Sequence, residues 1–360
     1  MEITFITKVE LLAIFALASL LAFFLCPHFI RLAIAHNIVD CPDNLRKLHG
    51  RITPYLGGGV LYVALLAGII SSMTAWKQTH LWVPLAGLTV LFLLGLVDDI
   101  KGLGAGIKLP FQVFAVALLV LSATSGLSQA GWSSITPGFL IYTACLIVVG
   151  VLMVNAFNLI DGMDGLALGL GVIYMVPFML AAVTSANQAS LIIAITFIAA
   201  SVGLVRHNFH PARIFLGDAG SLTIGGTVFL LLLLQINPDM DSGISNLGGV
   251  ATPMLSLPLI DVVAVMAHRF LIGKPIMQAD RNHIHHKLQR LGLDHATTVA
   301  TLHSVAFVIM LLGVVTENFG WGLAGRIGIL VFWISLYSLI TLVSNRDIKL
   351  QFSSKGASNV

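Results

Sequence analysis

The sequence predicts an all-α polytopic membrane protein with about eleven transmembrane helices, and three observations carry that prediction. Only 10% of the 360 residues are charged and 57% are hydrophobic, whereas soluble domains run near roughly 25% charged. Mean hydropathy is +0.96. Apolar runs recur along almost the whole chain at the length of about 20 residues that a helix needs to cross a bilayer. No soluble domain, internal repeat or low-complexity tract interrupts them, and nothing resembles a basic nucleic-acid-binding face, so no nucleic-acid partner is expected.

The runs place spans near 9–34, 56–75, 81–97, 109–125, 137–154, 166–184, 189–206, 219–236, 250–271, 298–316 and 321–343. Residues 1–343 are expected to form one transmembrane catalytic domain, with 344–360 a short solvated tail. The first run has no basic leader and no small-residue cleavage site, so it reads as a retained helix rather than a cleaved signal. Cys26, Cys41 and Cys145 have no paired spacing and read as small core residues. In the ninth run, Pro253 and Pro258 predict a break or bend, since proline removes a backbone donor.

Basic residues orient the chain. Only Lys8, Lys77 and Arg326 fall on the N-terminal side, and every other lysine and arginine falls on the opposite face. The positive-inside rule makes that face cytoplasmic. The C-terminus and the loops at 36–55, 98–108, 155–165, 207–218 and 272–297 then lie inside, and the N-terminus lies outside. The outer loops are nearly uncharged connectors, so the active site is expected on the cytoplasmic face.

The densest signal is the stretch VNAFNLIDGMDGLALGL, where Asn155, Asn158, Asp161 and Asp164 recur at every third position. A charge at bilayer depth costs at least ~2.5–3.5 kcal/mol, so such a stripe implies a helix end turned towards a charged ligand. Asp161 and Asp164 each precede a glycine, and with Asn158 they suggest contact with Mg²⁺ or pyrophosphate, because hard oxygens and substrate phosphates are the usual Mg²⁺ ligands. In the first inner loop, DCPDNLRKLHGRITPYLGGG, the side chains of Arg46, Lys47, His49 and Arg51 are candidates to hold phosphates, and Gly57–Gly59 open the next helix. In LVDDIKG, Asp98 and Asp99 sit at a helix C-terminus, the wrong end for negative charge, and need a cation to offset them. Lys108 follows on the same expected face as a further phosphate-binding candidate. In FLGDAGSL, Asp218 reads either as a helix cap or as a metal ligand. In DRNHIHHKL, the residues Arg281, His283, His285 and His286 fit a diphosphate better than zinc, since no cysteine is near and the other candidate ligands are hard carboxylates. His28, His36, His207, His210, His295 and His303 read as incidental.

These motifs, in this order, resemble the polyprenyl-phosphate N-acetylhexosamine-1-phosphate transferases over residues 40 to 295, with PLIDVVAV also matching. The HIHH form is similar to the WecA branch, which uses UDP-GlcNAc, whereas the MraY branch carries three consecutive histidines. The resemblance implies transfer of GlcNAc-1-phosphate from UDP-GlcNAc to undecaprenyl phosphate with Mg²⁺ or Mn²⁺, in a bacterial inner membrane. It implies that Asp218 and Asn158 bind the metal, and that Asp98 and Asp99 activate the lipid phosphate or hold the metal. By the same resemblance Asp164 and Phe215 contact uracil, and Arg281 with the three histidines holds the diphosphate and sugar. Arg51 stands where the MraY branch has lysine. The expected catalytic set is then Asp98, Asp99, Asp161, His283, His285 and His286, and Asn155 joins the substrate-binding set. A homodimer is compatible with the sequence. UDP-GalNAc and UDP-MurNAc-pentapeptide are the alternative donors. An ion-coupled transporter would need carboxylates deep within its spans, and only Asp261 is deep. An intramembrane aspartyl protease would need a Y-D motif that this chain lacks.

Overall fold

A computed structural model describes residues 5–40, 52–76, 81–123, 136–185, 187–235, 251–275 and 282–357. The fold is all-α and polytopic. Its helices are α1 (Phe5–Ala35), α2 (Gly57–Trp76), α3 (Trp82–Lys101), α4 (Ala105–Ala123), α5 (Pro137–Ile160), α6 (Leu166–Thr184), α7 (Gln188–Asn208), α8 (Gly217–Gln235), α9 (Ala251–Leu271), the short α10 (Ile284–Arg290), α11 (His295–Asn318) and α12 (Gly322–Ala357). Among the described residues, nine helices are long and apolar enough to cross a membrane, and α2 contributes a shorter apolar stretch, Gly57–Ser71. The only strand pairing among the described residues is a two-residue antiparallel pair, β1 (Val39–Asp40) with β2 (Thr53–Pro54).

The chain divides into two compact units, Met1–Leu247 and Gly248–Val360. In the first, α8 is the central helix and packs against α2, α3, α4, α5, α6 and α7. Every side chain from Ala219 to Leu233 is buried, as expected of a helix apolar on all sides. Small residues set how closely its neighbours approach. A Cβ on Gly225 would lie 2.8 Å from the Cα of Val154 on α5, and one on Gly220 would lie 3.0 Å from the Cα of Gly58 on α2. In the second unit α9, α11 and α12 pack together, and α10 packs on α11 and α12.

Several expected boundaries move, the furthest at α12, which continues to Ala357 where the span was expected to end at 343. α3 runs on to Lys101 and α5 to Ile160, so Asp98, Asp99, Asn155 and Asn158 belong to final helical turns rather than to loops. Lys108 likewise lies in the first turn of α4. The apolar runs end where polar residues begin, but these helices continue because tertiary partners take up the polar groups. Of the break or bend expected in the ninth span, a break is not found: α9 passes through Pro258 uninterrupted.

Candidate active site

In the first unit, four helix ends meet around a group of carboxylates. The first amides of any helix lack intrahelical partners and carry partial positive charge. At α8 these amides are taken by a side chain of α3: Asp99 accepts from the N–H of Asp218 (2.7 Å) through Oδ1 and from that of Ala219 (3.0 Å) through Oδ2. This explains the glycine in FLGD. Gly217 has φ 69°, and a Cβ there would stand 2.5 Å from Asp99 Oδ2. Asp218 is thus not the cap of its own helix, and its carboxylate remains available to other groups.

That carboxylate meets Lys108 from α4. The ammonium Nζ donates to Asp218 Oδ2 (2.7 Å) and is shared with Asp98, one turn from the end of α3. The backbone N–H of Leu103 also donates to Asp98. Two carboxylates from positions 120 residues apart therefore share one cation, which relieves the repulsion that Asp98, Asp99 and Asp218 would otherwise impose on one another. From α5, Asn158 donates to Ser221 Oγ (3.0 Å) and stands beside Asp218. Asp161 forms the C-terminal boundary of α5. Burial, then the charges of Asp218, Asp99 and Asp164, pushes its carboxyl well above the usual carboxylate range.

The adjoining loops are tied to the same region. Gly57 and Gly58, at the start of α2, donate to the carbonyls of Phe215 and Leu216 (each 2.9 Å), and Phe215 N–H donates to Pro54 (2.8 Å). Tyr55 and Phe215 have ring centroids 6.0 Å apart. Burial, followed by the neighbouring Asp40, raises the Tyr55 hydroxyl above its ordinary pKa. Asp164 Oδ2 accepts from the N–H of Ala212 (3.0 Å) and pairs with His210 Nδ1 (2.9 Å). His210, expected to be incidental, is instead the partner of a candidate residue.

The structure brings Asp98, Asp99, Lys108, Asn158, Asp161 and Asp218 into one acidic cluster. Asn155 is turned elsewhere: its amide exchanges two hydrogen bonds with Gln112 of α4 (2.9 and 3.2 Å) and donates to the carbonyl of Val151. In the second unit His283 and His285 are buried, their rings parallel at 6.0 Å, and His285 and His286 lie 4.2 Å apart. Burial, then the neighbouring histidines, lowers the pKa of His285 well below the ordinary value. Arg46, Lys47, His49, Arg51 and Arg281 lie outside the described residues. Sequence reasoning missed Gln112, which no motif signals; Ser221 stood unnoticed inside FLGDAGSL, and His210 was named but given no role.

The cluster suits a hard divalent cation. Its donors are carboxylate and amide oxygens, the usual Mg²⁺ set, and Asp98 and Asp218 already converge on a positive group.

Residues 81–236 match the family described as glycosyl transferase family 4. Over 342 residues, 93% of this chain and 90% of the relative, the sequence is 29% identical to a Bacillus subtilis (strain 168) protein named as a probable undecaprenyl-phosphate N-acetylglucosaminyl 1-phosphate transferase. It is 27% identical to the undecaprenyl-phosphate alpha-N-acetylglucosaminyl 1-phosphate transferase of Escherichia coli (strain K12), over 86% of this chain and 83% of that one. It is 25% identical to the decaprenyl-phosphate N-acetylglucosaminephosphotransferase of Mycolicibacterium smegmatis, over 82% of this chain and 79% of that one.

Proposed function

The chain belongs to glycosyl transferase family 4, with polyprenyl-phosphate GlcNAc-1-phosphate transferases among its relatives, and on that footing we propose that it transfers GlcNAc-1-phosphate from UDP-GlcNAc to undecaprenyl phosphate. The products are undecaprenyl-diphosphate-GlcNAc and UMP, and the setting is the cytoplasmic face of a bacterial inner membrane. The observation that carries this reading is the Lys108 ammonium shared by Asp98 and Asp218 where the ends of α3, α4 and α8 meet. Such a site holds anions through cations, and both substrates are phosphates.

Phosphoryl transfer asks mainly for positioning and charge neutralisation. When bound, Mg²⁺ or Mn²⁺ supplies neutralisation of the diphosphate and of the departing UMP. Asp218 and Asn158 would hold it, and Asp99 fixes Asp218 by capping α8. The second pKa of a phosphate monoester is near ~6, so the lipid phosphate arrives largely ionised and needs little help from a base. Asp98 orients it. A lipid phosphate oxygen bonds to the β-phosphorus of UDP-GlcNAc, and the bond from that phosphorus to the UMP oxygen breaks. Lys108 holds a phosphate oxygen, and Asp161 completes the catalytic set. Asp164 and Phe215 are assigned to the uracil, and Arg46, Lys47, His49 and Arg51 to phosphate. His283, His285, His286 and Arg281 are assigned to the sugar diphosphate. Asn155 acts through Gln112 by fixing α5 against α4.

Purified protein is tested with undecaprenyl phosphate and a panel of UDP-sugars, with and without EDTA. UMP release from UDP-GlcNAc alone, abolished by EDTA, is the expected result. Release only from UDP-GalNAc reassigns the sugar, and no release from any UDP-sugar refutes the reading.

A further inference from the structure

The second unit holds a buried polar chain of which the reaction just described uses only the last member, His283. Asp261, in the middle of α9, is completely buried. A carboxylate survives there only if its oxygens are satisfied, and three donors satisfy them. Oδ2 pairs with Nδ1 of His283 (2.8 Å), while Oδ1 accepts from the backbone N–H of Ile284 (2.8 Å) and from the hydroxyl of Tyr337 on α12 (3.0 Å). The Tyr337 oxygen in turn accepts from Lys287 Nζ (2.7 Å), which also donates to Thr341 Oγ1 (2.9 Å). The chain runs from Lys287 through Tyr337 to Asp261 and ends on His283, the first histidine of HIHH.

The direction of these bonds decides the state of the ring. A carboxylate only accepts, so the proton between Asp261 and His283 belongs to Nδ1. Nε2 is then the one ring nitrogen left for a further partner, and the His283 side chain keeps 6% of its surface exposed. A carboxylate held by donors on α10 and α12 cannot turn without breaking one of them, so the imidazole plane is held as well. This arrangement matches the way a second carboxylate sets the tautomer of a functional histidine.

We propose that Asp261 is a positioning residue for His283: it fixes the ring's tautomer and plane so that Nε2 is the nitrogen offered to the nucleotide sugar. This rests on the reading that His283 contacts that substrate. Tyr337 acts one step further back, by holding Asp261.

The test uses the full-length protein in detergent, with histidines labelled with nitrogen-15. Asp261→Asn keeps the shape but presents an amide that can pair with either tautomer. The expected result is a fall in kcat on the order of 10- to 100-fold with the KM for undecaprenyl phosphate nearly unchanged. In a His283→Gln background the same substitution should cost nothing more, because a residue acting through another loses its effect when that other is gone. The His283 ring signal, identified by its loss in His283→Gln, should show Nδ1 protonated in the wild type and a mixture in Asp261→Asn. Losses that multiply in the double variant, or an unchanged ring signal, overturn the proposal. If Asp261→Asn does not fold, Tyr337→Phe removes one donor and is judged by the same two criteria. The ring signal needs no turnover: a wild type that releases no UMP while its His283 signal behaves as expected refutes the transferase reading but not the carboxylate–imidazole pair.

Discussion

Gly225→Ala separates two opposing effects on α8. Gly225 lies inside the helix, where alanine is intrinsically favoured by roughly 0.5–1 kcal/mol. Propensity alone therefore predicts a stabilised protein. The packing predicts the reverse, since the new Cβ would stand 2.8 Å from Val154 Cα, 3.1 Å from the Met153 carbonyl oxygen and 3.3 Å from Phe157 Cβ. Ordinary carbon–carbon contact begins near ~3.5 Å, so α5 must retreat from α8 by roughly 0.7 Å. Two of these three contacts are backbone atoms and cannot move aside by changing rotamer. Overpacking of this kind costs about 1–3 kcal/mol, which exceeds the gain in propensity. The same retreat would stretch the Asn158–Ser221 hydrogen bond beyond its present 3.0 Å and past hydrogen-bonding range, beside Asp218. A misplacement of ~1 Å can cost about 10²-fold in rate, so a loss of about 10-fold in kcat is expected with a lowered unfolding temperature. The control is Gly106→Ala in α4, where a Cβ meets nothing within 4 Å; it should be neutral or slightly stabilising. UMP release and thermal unfolding in detergent read both variants. A Gly225→Ala protein as stable and active as the wild type would refute the claim that backbone approach between α5 and α8 sets the site.

Asp99→Asn leaves one acceptor where two amides need one each, so a loss of about 1–3 kcal/mol and a fall in kcat are expected, read by unfolding and turnover. Lys108→Met removes the cation between Asp98 and Asp218; turnover should fall, while stabilisation by Mg²⁺ in a thermal-shift titration without substrate should strengthen. His285 is held neutral by burial, with its pKa below the ordinary 6.5, so the unfolded chain binds more protons under acid and stability falls as pH drops below about 6.5. A His285→Gln protein should lose less stability than the wild type over that range, as followed by unfolding at pH 7 and pH 5.

The fold class was legible because it depends on composition and run length, which need no knowledge of contacts. The helix ends were less so. The expected span limits at 97 and 154 fall short because a hydropathy reading ends a span at its first polar group, whereas Lys108 and Ser221 allow the helices to continue past it. The stripe at every third position correctly marked a polar helix end, but it gave Asn155 and Asn158 the same standing. They diverge because Gln112 of α4 faces one and Ser221 of α8 the other, a difference set by packing between distant segments. Asp99 shows the same limit: an adjacent DD pair does not reveal that one member caps a helix 118 residues later while the other shares a lysine. Asp261 was visible as a lone deep carboxylate, but its partners His283 and Tyr337 lie 22 and 76 residues away.

In the proposed reaction Asp218 is the oxygen ligand that ties a divalent ion to the nucleotide diphosphate. The most direct test is the rate of UMP release from UDP-GlcNAc by wild type and Asp218→Asn across a Mg²⁺ titration. The predicted result is a loss of about 10²-fold or more in Asp218→Asn, with a much higher Mg²⁺ requirement for whatever activity remains. Equal rates and superimposable Mg²⁺ curves would contradict it.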